Sequence, residues 1–155
     1  MTATDVAVRK TLTVKAPIDK AFRVFTDGFD SWWPRSHHIG GADLKQAVLE
    51  PRTGGRWYEI GVDGSECEWG EVLVWEPPQR LVVTWQINGQ WQYDPDFRTE
   101  VEVRFVAEAP DLTRVEFEHR DLERFGVDQE QIVAGFNSDG GWTGLLEAFA
   151  KAAAA

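Results

Sequence analysis

Histidine is the side chain best suited to move a proton near neutral pH, and this 155-residue chain has three, His37, His38 and His119. His119 continues a two-residue series with Val115 and Phe117, so on a strand it faces inward with them. There it could act as a general acid or base. No nucleophile or orienting partner stands near it in sequence, so a structural histidine hydrogen-bonded at the strand end is the preferred reading. His37 and His38 with Asp43 or Glu50 could suggest a metal site, but adjacent side chains on an extended loop point apart and the spacing fits no zinc motif. A solvated loop without metal is expected there. Arg56, Tyr58, Glu68, Arg98 and Glu100 are candidate polar contacts for a bound molecule, with a cross-strand surface pair the simpler account of Arg56 and Glu68. Gly54-Gly55 leads into a strand and not into a helix, which makes it turn or bulge chemistry instead of a phosphate loop. No Ser/His/Asp set, Walker motif or dinucleotide fingerprint occurs.

These residues must be positioned by a chain of alternating strands and turns. Val6, Val8, Leu12 and Val14 alternate with Arg9, Thr11, Thr13 and Lys15, the period of a half-buried strand in which Lys10 is the one break. Pro17 opens a helix whose Ile18, Ala21, Phe22 and Phe25 make one apolar face before Asp27-Gly28 ends it. Phe29 to Trp33 reads as a helical turn closed by Pro34, and Arg35 to Asp43 as an exposed or lid-like loop. Strands are expected over residues 44–50, 55–61, 66–75, 80–87, 98–107 and 112–120, with Asp63-Gly64 as a hairpin turn. Between the fourth and fifth of these, Trp91, Tyr93 and Phe97 form either a lid or partner surface, or packing over the sheet edge. Ile132, Phe136, Trp142, Leu145, Leu146 and Phe149 fit one long helix over residues 128–153. Gly135, Gly140, Gly141 and Gly144 each cost up to about 1 kcal/mol in a helix interior, so a helix capped by Ser138 or Asp139 is the alternative. The order predicts a single α+β domain over residues 1–155.

Composition narrows the function classes. With 16 Lys and Arg against 26 Asp and Glu, the net charge of −10 argues against nucleic acid and anionic membrane as partners. Eight tryptophans are many for this length, and large half-buried rings suit a cavity lining or aromatic interface, or simply the core of a wide sheet. Cys67 is the lone cysteine, which rules out an intrachain disulfide and fits a reducing compartment. Residues Met1 to Val8 lack the marks of a leader and no apolar run is long enough to span a bilayer, so a cytoplasmic protein is expected.

Taken in order, Ala16-Pro17, Ser31-Trp32-Trp33-Pro34, Gly54-Gly55-Arg56-Trp57, Gly70-Glu71-Val72, Pro77-Pro78-Gln79-Arg80-Leu81, Thr84-Trp85, Phe117-Glu118-His119 and Gly141-Trp142 form a pattern covering about Val8 to Phe149. It resembles the Hsp90-ATPase-activator-homologue (AHSA1-type) branch of the START-like, or SRPBCC, superfamily. The resemblance implies a helix-grip (START/Bet v 1-like) fold, a curved antiparallel sheet wrapped around a long C-terminal helix with a pocket between them. Alternation nominates Leu81, Val83, Trp85 and Ile87, with Val101, Val103 and Phe105, as lining. The expected ligand site is Trp32, Trp33, Tyr58, Trp85, Val103, Phe117, His119, Phe136 and Trp142, taking a small lipophilic or aromatic molecule without a cofactor. The resemblance implies two other functions. One is a protein-interaction module with a chaperone partner, stimulating an Hsp90-type ATPase, whose eukaryotic form also uses an upstream domain for which no room is expected here. The other is a cyclase- or hydrolase-like enzyme using the same cavity. Monomer and homodimer are both left open.

Overall fold

Apolar residues recurring at every second position make strands of Val8–Val14 (β1), Leu44–Leu49 (β2), Arg56–Gly61 (β3), Glu66–Glu76 (β4), Arg80–Trp85 (β5), Thr99–Ala109 (β6) and Leu112–Arg120 (β7). The computed structural model describes residues 6–155, and the leader reading of residues 1–5 lies outside them. The strands pair antiparallel in one sheet of order β1-β7-β6-β5-β4-β3-β2. Register lines the inward side chains up in rows across it: Leu81 opposite Val103 opposite Phe117, and Val83 opposite Val101 opposite His119 opposite Val8. Every apolar member of these rows is buried.

Helices Ile18–Thr26 (α1) and Phe29–Trp32 (α2) follow β1, and Trp33 turns extended at ψ 125 as the residue before a proline must. After β7 comes a 3-10 segment over Leu122–Asp128, then Gln129–Phe136 (α3) and Trp142–Ala154 (α4). The concave face meets α4 at Trp142, whose ring lies 4.5 Å from that of Phe117 on β7, while Phe149 packs α4 against Phe25 of α1 and Trp32 of α2 at 5.0 and 5.6 Å. This is the helix-grip arrangement of the α+β class. One expectation is corrected. The long terminal helix is two helices, because the chain turns back at Asn137 to Gly141, where Ser138 Oγ donates to the Gly135 carbonyl at 2.6 Å. Gly141 caps α4 at φ −105 and ψ −141, and a Cβ there would lie 2.3 Å from the Gly135 carbonyl oxygen, closer than any side chain tolerates. The glycines are therefore the break itself.

On the convex face, Arg80, Arg104 and Arg120 converge on Glu102. Burial alone would raise the Glu102 pKa; hydrogen bonds from Arg80 and Arg120 and the Arg104 charge hold it down at about 2. No helix among the described residues is long and apolar enough to cross a membrane.

Candidate functional site

A cavity of about 400 Å³ opens where α4 begins and the sheet ends. Trp69 of β4, Trp85 and Ile87 form its floor, Phe136 and Leu145 come from α3 and α4, and Trp33 closes one side. Two loops make the rim: Ser36, His37, His38 and Ile39 from the α2–β2 connection, and Trp91 from the β5–β6 connection. Trp91 is 52% exposed and meets Phe136 edge-on at 6.2 Å. The lining is predominantly aromatic, with polar side chains confined to Ser36, His37 and His38 apart from the indole N–H groups.

The rim is fixed by groups that sequence reasoning missed. Glu59 is 1% exposed and shares the inward phase of β3 with Trp57. Its carboxylate accepts from the Ile39 N–H at 2.7 Å, the Gly40 N–H at 3.0 Å and Trp69 Nε1 at 2.9 Å. A buried carboxylate is tolerated only with such donors, so Glu59 ties the rim loop and the floor together. Cys67 sits beside it, its thiol pushed up first by burial and then by the Glu59 charge, which makes it a poor nucleophile.

Of the residues expected to form the ligand site, Trp33, Trp85 and Phe136 line this cavity. The others stand elsewhere. Trp32 donates to the Val24 carbonyl and packs on Phe25 and Phe149. Val103 and Phe117 are sealed in the core, Phe117 against Trp142 at 4.5 Å. Tyr58 lies on the opposite face from Trp57, under the Arg56 guanidinium at 3.8 Å. Arg56 in turn bridges Glu66 and Glu68, the expected cross-strand pairing, while Arg98 pairs with Glu71 and Glu100 with Arg120. Of the aromatic loop, Phe97 packs on Phe125 at 4.8 Å and only Trp91 reaches the cavity.

His119 is fully buried behind the floor, 5.1 Å from the Trp85 ring. Trp142 Nε1 can only donate, so at 3.1 Å His119 Nδ1 is the acceptor and the ring proton sits on Nε2. Nε2 then donates to Thr99 Oγ1 at 2.9 Å, and Thr99 donates onward to the Trp85 carbonyl at 3.0 Å. Both nitrogens are occupied and burial pushes the pKa down to about 3, so this ring stays neutral and offers the cavity neither a free proton nor a free lone pair. Among the described residues no three His, Cys, Asp or Glu side chains come together as a metal site.

A curled antiparallel sheet gripping a terminal helix, with an aromatic cavity at one end, defines the class of this protein. The chain belongs to the family of Activator of Hsp90 ATPase homolog 1-like proteins, matched over residues 15–154. Among solved structures it is similar to Txn09, an anthrahydroquino-γ-pyrone synthase, at 38% identity and TM-score 0.67 over 97% of this chain and 99% of that one. It is also similar to CalC, a self-sacrificing resistance protein of Micromonospora echinospora, at 37% identity and TM-score 0.70 over 95% and 93% of the two chains. No curated protein matches the sequence.

Proposed function

We propose that the protein binds a small, flat, oxygenated aromatic molecule in the cavity beneath Trp91. The observation that carries this reading is the lining, in which Trp33, Trp69, Trp85, Trp91 and Phe136 surround about 400 Å³ and the polar side chains gather at the rim. Such a volume accepts a fused tricyclic or tetracyclic system, and ring faces meeting ring edges favour an aromatic over an aliphatic guest. One relative agrees in kind, since the name of Txn09 describes a synthase of a polycyclic, oxygen-rich aromatic product. That likeness supports a second reading, conversion of the bound molecule in the same cavity. An ATPase-activating role is carried by the family's name alone.

The test is a tryptophan-fluorescence titration with 2-hydroxyanthraquinone, paired with native mass spectrometry of the purified protein. Saturable quenching that weakens in a Trp85→Ala or Trp91→Ala variant that still folds supports the reading. An empty protein that neither this compound nor a panel of planar phenols quenches would overturn it.

A further inference from the structure

The rim loop holds a pair of groups that binding alone does not use. Ser36 Oγ lies 2.9 Å from His37 Nδ1, and His37 Nε2 lies 2.7 Å from the carbonyl oxygen of Gly140. A carbonyl only accepts, so the ring proton resides on Nε2 and Nδ1 keeps its lone pair. The Ser36 hydroxyl therefore donates to Nδ1. The rest of His37 is pinned as well: its carbonyl accepts from Trp33 Nε1 at 2.8 Å, its N–H donates to the Pro34 carbonyl at 3.1 Å, and the Trp33 indole meets the imidazole edge-on at 5.9 Å. Hydroxyl, base and orienting acceptor in that order are the parts from which acid–base sites are built. Both Ser36 and His37 line the cavity. Unlike His119, whose partners are all internal, this pair faces a space that a ligand can enter. His38 is the other imidazole of the lining, and its Nδ1 is turned onto the Gly40 carbonyl at 3.0 Å. Glu59 packs on the same loop with its carboxylate accepting from three N–H donors, and Arg35, beside Ser36, is paired with Asp30 at 2.8 Å.

We propose that Ser36 and His37 form an acid–base pair that acts on a phenolic hydroxyl of the cavity-bound aromatic, an assignment that rests on the proposed binding of such a molecule. The phenol O–H passes its proton to Ser36 Oγ while Ser36 passes its own to His37 Nδ1. The O–H bond of the ligand breaks and an N–H bond forms, leaving a phenolate and an imidazolium whose Nε2–H stays on Gly140. The step is a proton transfer alone, in which nothing is oxidised or reduced and no co-reactant is consumed.

The test separates binding from proton transfer by using 2-hydroxyanthraquinone, whose phenol and phenolate absorb at different visible wavelengths. Quenching of tryptophan fluorescence reports occupancy, and the visible spectrum across pH reports ionisation. In the wild-type protein the bound dye is expected to ionise about one pH unit or more below the free dye, because the imidazolium formed beside it stabilises the phenolate. An apolar cavity without a base does the reverse and raises the ionisation pH. In His37→Gln the dye should still quench but ionise at or above its free value. Ser36→Ala, which leaves the Gly140 contact in place, should reduce the lowering. Quenching without lowered ionisation in the wild type, or full lowering retained in His37→Gln, overturns the acid–base pair while leaving binding intact. Absence of quenching refutes the binding reading, and this assignment falls with it.

Discussion

Lowering the pH from 7 to 5 is expected to remove about 2 kcal/mol of stability through one side chain, His119. Burial pushes its pKa from the ordinary 6.5 down to about 3, so the folded chain refuses a proton that the unfolded chain accepts. Between those two values the unfolded state binds more protons, and stability therefore falls as the pH falls below 6.5. At about 1.4 kcal/mol per pH unit for one proton, the loss is roughly 0.2 kcal/mol at pH 7 and about 2 kcal/mol at pH 5. Glu102 acts lower: with its pKa held from 4.5 down to about 2, its contribution is present above 4.5 and lost beneath it, outside this window. The assay is urea unfolding at pH 7 and pH 5 of the wild type and His119→Gln. Glutamine can accept from Trp142 and donate to Thr99 as the imidazole does, but it does not titrate. The variant should start less stable and lose at least about 1.5 kcal/mol less than the wild type over the same interval. Equal losses in the two proteins would mean that the ring is not held neutral, and the reasoning from burial and tautomer would be refuted.

Three further outcomes are expected from the same contacts. Glu59→Gln places an amide N–H against donors that a carboxylate accepts, and should cost about 1 to 3 kcal/mol in urea unfolding while loosening the rim, seen as faster amide exchange at Ile39 and Gly40. Gly141→Ala drives a methyl to within 2.6 Å of both the Gly135 and Phe136 carbonyl oxygens, and should cost about 2 kcal/mol or more by thermal unfolding. Trp91→Ala, at a half-exposed position, should change stability by no more than about 0.5 kcal/mol yet weaken binding of a planar aromatic roughly tenfold, checked by fluorescence titration.

Much of the strand plan was legible because it depends on local alternation. Leu112–Arg120 is found at its expected limits, since Arg114, Glu116 and Glu118 point outward between Val115, Phe117 and His119 without a slip. Pattern reading faltered where the period breaks. On β3 and β4, Trp57 pairs with Gly70 while Tyr58 pairs with Glu68, a bulge that carries Trp69 onto the cavity floor and shifts the phase of the residues beyond it. Gly70 permits it, because a Cβ there would stand 2.0 Å from the Thr84 carbonyl oxygen. Glu59 had a readable signal, a charge in the inward phase of a strand, though its meaning depends on N–H donors that arrive from a loop nineteen to twenty residues away.

The chain by itself determined the class of fold, the seven strands, the terminal apolar stripe and a surplus of aromatic rings, all of which are written in spacing and composition. Tertiary structure alone decided which rings meet empty space and which meet each other, sending Trp33 and Trp85 to the cavity and Trp32 and Trp142 to the core. It also decided between the histidines. His119, for which the sequence favoured a structural role, is held by Trp142 and Thr99, whereas His37, on a loop expected to be solvated, has its Nε2 held by the carbonyl of Gly140, 103 residues further along. The reason is physical: alternation sets the direction of a side chain, but its protonation and reach are set by partners that only folding brings within hydrogen-bonding distance.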